Sequence, residues 1–225
     1  MAAALLGGCV SSAPQQATSS QAPARNIAWQ QHQLAVSALQ NWRIRSKFGY
    51  VTNHDSGSAW LDWEQNADDA NANISGPFGV GAAQVISSTQ GATLKQAGEP
   101  DLHATSADEL THHLFGWPFP IEQLRYWVRG LPAPDVRIQS LTAEPSGLLS
   151  HLEQDGWVLA FTRYQNTAVG PLPGKIEASA GDLRIKLLIK EWFVAPNISA
   201  PQDLQQETQQ DIQPYLPLNA LRDEH

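Results

Sequence analysis

Few residues of this chain have the types and spacing that do chemistry. His112 and His113 follow Glu109, a trio that could hold a metal or move a proton. Adjacent residues on a helix point about 100° apart, so the two imidazoles make a poor chelate. A solvent-facing helix end is the expected place for them. Asp68 and Asp69 are paired carboxylates, but they lie in a polar turn and need no catalytic role. No Gly-x-Ser-x-Gly elbow, phosphate-cradling glycine loop or dinucleotide fingerprint occurs. The one cysteine, Cys9, excludes an internal disulfide and a cysteine-based zinc site. No metal or cofactor is expected. A hydrolase that assembles its site from distant residues stays open as a minor reading.

Cys9 has a different chemistry in its surroundings. Leu6-Gly7-Gly8-Cys9 runs apolar, small, small, cysteine, which resembles the bacterial lipobox. There a diacylglyceryl group is attached to the sulfur, and cleavage before the cysteine frees an amine for a further acyl chain. Residues 1–8 contain no Lys or Arg and are shorter than a full leader, so they read as a truncated signal peptide. Residues 9–26 are rich in Ser, Gln, Ala and Pro with no apolar period, the composition of a solvated tether. Cys9 is therefore the expected lipid-attachment residue. Val10 follows it, where a retention signal for the inner membrane would place Asp, and this points to the outer membrane.

The elements that would follow such a tether come from composition and period. The chain has 225 residues, 42% of them hydrophobic and only 16% charged. That supports one domain with a sizeable core and a surface of Gln, Asn, Ser and Thr. A net charge of −8 argues against nucleic acid as a partner, because displacing counterions from phosphates requires a basic face. No run approaches the ~18 apolar residues that a membrane-spanning helix needs.

Ile27 to Asn41 has helical spacing, with Trp29, Val36 and Leu39 near one face. From Trp42 the period drops to two. Trp42, Ile44, Ser46, Phe48 and Tyr50 alternate with Arg43, Arg45, Lys47 and Gly49, which predicts a half-buried strand whose charged face is solvated. Further strands are expected at Ser58–Gln65, from Ala70 to Ile74, at Ala82–Ser88 and at Ala92–Gln96. Ser106-Ala107-Asp108-Glu109 has capping-box spacing, so a helix should run from there to Phe115. Pro120 should open a second one, Ile121 to Arg129. Strands return at Val136–Thr142, Leu148–Gln154, Trp157–Gln165, Lys175–Ala180 and Leu183–Val194. Residues 196–225 carry many Gln and Pro with little period and read as a disordered extension, leaving 27–195 as the domain. Short turns between consecutive strands favour antiparallel pairing, and roughly eleven strands would curl toward closure.

The run Gly116-Trp117-Pro118-Phe119-Pro120, with Leu124, Trp127 and then Gly130-Leu131-Pro132, resembles the outer-membrane lipoprotein receptor family LolB. Other pieces match in order: Trp29 with His32, Trp63-Glu64-Gln65, Gly76-Pro77-Phe78-Gly79, Asp155-Gly156-Trp157 and Ile189-Lys190-Glu191-Trp192. The loop has Phe where the family pattern has Leu, and the extension beyond Val194 is unusual for the family. The resemblance implies an unclosed antiparallel β-barrel of about eleven strands with an N-terminal helix and two short inserted helices covering an apolar cavity. It implies a monomer that accepts acylated lipoproteins from the periplasmic carrier LolA and inserts them into outer-membrane lipid, without a nucleotide and without enzymatic chemistry. Trp63, Leu124, Trp127, Trp157 and Trp192 are the candidate cavity or lid residues. Gly76, Pro77, Phe78 and Gly79 form the candidate membrane-insertion loop. Read from the residues alone, the eight tryptophans also suit an envelope module that stacks them on glycan or peptidoglycan.

Overall fold

The computed structural model describes residues 27–76, 81–117 and 119–194. Cys9 and its tether, Pro77, Phe78 and Gly79 of the loop, and the C-terminal extension lie outside the described residues. Helix α1 (Ile27–Ser37) is followed by strands β1 (Asn41–Val51), β2 (Ser56–Asn66), β3 (Asp69–Ser75), β4 (Ala83–Ser88), β5 (Gly91–Gln96) and β6 (Leu102–Ala104). Helices α2 (Ala107–Phe115) and α3 (Ile121–Trp127) come next, then β7 (Ile138–Ala143), β8 (Leu149–Gln154), β9 (Trp157–Thr167), β10 (Gly170–Ala180) and β11 (Leu183–Val194).

All eleven strands form one sheet in the order β6-β5-β4-β3-β2-β1-β11-β10-β9-β8-β7. Every pairing is antiparallel. The chain meanders outward from β1 to one edge, crosses, and meanders back from the other edge until β11 closes on β1. The two edges, β6 and β7, are not paired with each other. The segment that connects them contains α2 and α3, so the topology itself inserts both helices between the edges.

The strict alternation of β1 decides which face is which. Trp42, Ile44, Ser46 and Phe48 are buried while Arg43, Arg45 and Lys47 are exposed. Ala59, Leu61, Trp63 and Gln65 of β2 continue the buried side, as do Leu183, Ile185, Leu187 and Ile189 of β11. On the outer face Arg43 donates to both carboxylate oxygens of Asp62 at 2.7 Å, Arg45 reaches Glu191 at 3.3 Å, and Lys47 lies over the Trp60 ring. The expected solvated face is thus largely paired within its own sheet.

At two of the departures from sequence expectation, the end of α1 and the start of β7, a side chain has captured the backbone. α1 stops at Ser37, not Asn41, and Arg129 donates to the carbonyl of Leu39 just beyond its end. β7 starts at Ile138, not Val136, because the Gln154 amide bonds both backbone groups of Ala133 and the carbonyl of Val136. β10 extends back to Gly170 through Pro171 and Pro173, which lie in the half of the strand that β11 does not pair. Proline is tolerated there for lack of a ladder bond to break. The Pro173 carbonyl instead accepts from the Trp192 indole at 2.9 Å. Pro120 is the residue before α3 and not its first turn. The three-residue β6 is too short to show a period.

Gln154 is fully buried and also accepts from the Trp127 indole at 3.0 Å. Substituting Gln154→Leu would leave several of these groups buried without partners, at ~1–3 kcal/mol each. We expect a loss of about 3 kcal/mol or more in urea unfolding, and a loss below about 0.5 kcal/mol would contradict this role.

Candidate functional site

The concave face of the sheet is apolar and continuous, and it is covered. Three aromatic groups carry most of its area. Trp42 packs between Trp63 and Trp192, with ring centroids 5.1 and 5.6 Å away. Trp127 of α3 meets Trp157 of β9 at 6.0 Å. The third group joins Phe48 of β1 to Phe115 and Phe119, at 5.7 and 5.6 Å, from the insertion. Trp117 extends it by stacking on Phe115 at 5.0 Å and meeting Tyr50 at 5.2 Å.

The insertion behaves as a lid with defined fastenings. Ser106 caps α2 by accepting from the Glu109 amide at 3.3 Å, while the Glu109 carboxylate bonds the Thr105 hydroxyl. Gly116 ends α2 with φ 74°, which glycine reaches without strain. Buried Thr111 donates to the Phe119 carbonyl at 2.9 Å, and Asp108 accepts from the Glu122 amide at 3.3 Å, so α2 and α3 hold each other. α2 lies against β4, β5 and β6. The far end of α3 is tied to the body by Trp127 on Gln154 and by Arg129 on Leu39.

The lid presents Leu110, Phe119, Ile121, Leu124 and Trp127, all buried. At ~1.5–3 kcal/mol for each large side chain, they contribute on the order of 10 kcal/mol. They fill the space that the concave face encloses, so the apolar interior is packed in this state. The depressions that flank the lid are small and partly polar. One, of about 240 Å³, lies between α1, the β2–β3 turn and α3; another, of about 200 Å³, lies between β2, β4 and α2. Both fall below the ~300 Å³ at which pockets for drug-sized ligands begin. An empty apolar hollow gains by collapsing, since each unfilled void forfeits contacts.

Of the residues expected to serve the site, Trp63, Leu124, Trp127 and Trp157 are buried at the sheet–lid interface. Trp192 is half-buried at the end of β11. Trp63 is fixed by its indole donating to Gln65, whose amide donates on to the Ala67 carbonyl. Gly76 is half-buried at the end of β3. Trp29 and His32 meet at 6.4 Å on α1, and the buried Nε2 of His32 has no partner among the described residues. His112 and His113 are exposed, as a helix end predicts. Phe115, Trp117 and Phe119 were not among the expected cavity or lid residues, although Trp117 and Phe119 belong to the run that carries the resemblance; their signal was three aromatics spaced two apart across the end of α2. No helix among the described residues is long and apolar enough to cross a membrane.

An open antiparallel sheet whose apolar inner face is covered by a two-helix insertion is the architecture of this chain. The profile described as outer membrane lipoprotein LolB matches residues 40–192. The LolB protein of Cellvibrio japonicus is 41% identical over 167 residues, covering 72% of this chain and 82% of the relative. That of Pseudomonas paraeruginosa is 37% identical over 191 residues, covering 85% and 92%. A putative outer-membrane lipoprotein-sorting domain from Vibrio parahaemolyticus overlays with TM-score 0.48 at 9% identity, over 77% of this chain and 93% of that one. The assignment rests on the sequence relatives: the chain belongs to the LolB family of outer-membrane lipoproteins, receptors rather than enzymes.

One fastening of the lid is sensitive to pH. Burial raises the Asp108 carboxyl from the ordinary 3.8 to about 6, against the amides of Glu122 and Ile121 that favour its ionised form. Between those values the folded chain keeps a proton that the unfolded chain has lost. Stability from this group is therefore full below the lower value and falls as pH rises through the upper one. Asp108→Asn keeps an acceptor without the charge. Urea midpoints at pH about 4 and 7 should show a smaller decline in the variant than in the native chain; identical declines would remove this role.

Proposed function

We propose that this chain accepts acylated lipoproteins from the periplasmic carrier LolA and releases them into the outer membrane, with the acyl chains taking the place of the lid on the concave face. The observation that carries this reading is a continuous apolar sheet face covered by a helical insertion that crosses between unpaired sheet edges.

Magnitudes support the exchange. The three acyl chains of a lipoprotein hold roughly 40 methylenes, and at ~0.8 kcal/mol each their exposure costs on the order of 30 kcal/mol. The lid contributes on the order of 10 kcal/mol by the same bookkeeping. Cargo therefore displaces the lid, and the lid returns when cargo leaves. No nucleotide is needed, because a step of ~1.4 kcal/mol between successive hosts already biases transfer tenfold.

In this reading Cys9 carries the lipid anchor, residues 9–26 are the tether, and the domain faces the periplasm as a monomer. The loop Gly76-Pro77-Phe78-Gly79 supplies the membrane contact. Burying Phe78 at the acyl boundary yields ~1.5–3 kcal/mol, enough to hold the receptor against a leaflet.

Phe78→Glu should accept lipoprotein from loaded carrier as well as the native chain does, and lose most delivery to liposomes. Undiminished delivery would end the membrane role of the loop. Absence of any transfer from carrier to the native chain would end the proposal as a whole.

A further inference from the structure

The 240 Å³ depression beside α3 contains a buried charge that forms no ion pair among the described residues. Arg129 is 7% exposed and lines it. Its Nε donates to the Arg125 carbonyl at 3.0 Å and one terminal nitrogen donates to the Leu39 carbonyl at 2.8 Å. Among the described residues its other terminal nitrogen makes no hydrogen bond, and no carboxylate lies within ion-pair distance of the group. A guanidinium so placed has lost much of its water without gaining a counter-charge, which is costly unless a ligand supplies one. Burial, with the like charge of Arg125 adding to it and Tyr126 opposing it, lowers the pKa of the group to about 10, so it stays charged at neutral pH.

A second arginine stands one helical turn away. Arg125 lines the same cleft, donates to the Tyr126 hydroxyl at 2.8 Å, and pairs with Asp68 at 3.2 Å. That aspartate is 64% exposed, so water screens the pair and it is weak. Tyr126 lies between the arginines, with their guanidinium carbons 4.8 and 5.2 Å from its ring centroid, and holds both forks in place. Asp68 is the one carboxylate lining the cleft, leaving it a net positive charge within a chain of net charge −8.

We propose that this cleft is an anion site that binds one phosphate ester, with Arg129 as the buried ligand and Arg125 as the ligand at the rim. Two planar, preorganised forks match the oxygens of a phosphate better than a lone carboxylate does. The volume suits a small ester such as glycerol phosphate. The cleft opens at the β2–β3 turn.

The test uses the full chain and glycerol 3-phosphate as probe. Binding should shift the side-chain Nε–H signal of Arg129 and quench Trp42, which lines the cleft. Arg129→Gln should weaken binding at least tenfold with the fold retained. Should that variant fail to fold, the half-buried Arg125→Gln carries the test and should weaken binding severalfold. A second arm floats the protein on phosphatidylglycerol vesicles. Flotation that depends on Arg129 and is competed by glycerol 3-phosphate assigns the site to a lipid headgroup. Soluble binding with flotation indifferent to Arg129 assigns it to a free phosphate ester. The proposal is overturned if the native chain binds neither probe, or if Arg125→Gln and every folded Arg129 variant bind as the native chain does.

Discussion

An apolar sheet face cannot stand in water, and everything distinctive about this fold answers that constraint. Eleven antiparallel strands curl around their buried side but leave β6 and β7 unjoined. A closed barrel would have sealed the face permanently. Here the chain covers it with α2 and α3, which are inserted between the edges and share little backbone pairing with the sheet. Cover of this kind is held by side-chain packing, and packing is interchangeable with any other hydrocarbon of comparable area. That supports the proposal that acyl chains occupy this face.

Buried polar groups determine which parts of the cover stay put. Gln154 binds Trp127, Ala133 and Val136, and Arg129 binds Leu39, so the C-terminal end of α3 is anchored to β8 and to the α1–β1 junction. The α2 end depends on Leu110, the Phe115–Trp117–Phe119 aromatics and the bonds Thr111 and Asp108 make to the α3 start. Breaking an apolar contact in exchange for an acyl chain costs little, whereas breaking a buried amide network leaves unpaired dipoles. The proposed exchange therefore keeps the α3 C-terminus as the attached end of the lid.

Much of the sheet was legible in the sequence, because half-buried strands write their burial as alternation. Trp42 through Phe48 is the clearest case, and the capping box at Ser106 placed α2 correctly. Long-range capture was not legible. Nothing near Val136 announces that Gln154 will occupy its carbonyl, and nothing near Ser37 announces Arg129. Nor does any residue near Pro171 and Pro173 announce that β11 pairs only half of β10. The site was half legible: Trp63, Leu124, Trp127 and Trp157 lie at the sheet–lid interface. Phe48, Phe115 and Phe119 meet only through the crossing of the lid over β1, which no local pattern encodes. The roles expected of Cys9 and Phe78 fall on residues outside the described ones.

The most direct test of lid exchange is amide hydrogen exchange on the full chain, with and without a soluble triacylated lipopeptide. The account predicts that loading lowers protection in α2 and the first turn of α3 while β1, β2 and β9–β11 keep or gain it. Unchanged or increased protection across α2 on saturation with lipopeptide would contradict it, because the acyl chains would then be bound somewhere other than beneath the lid.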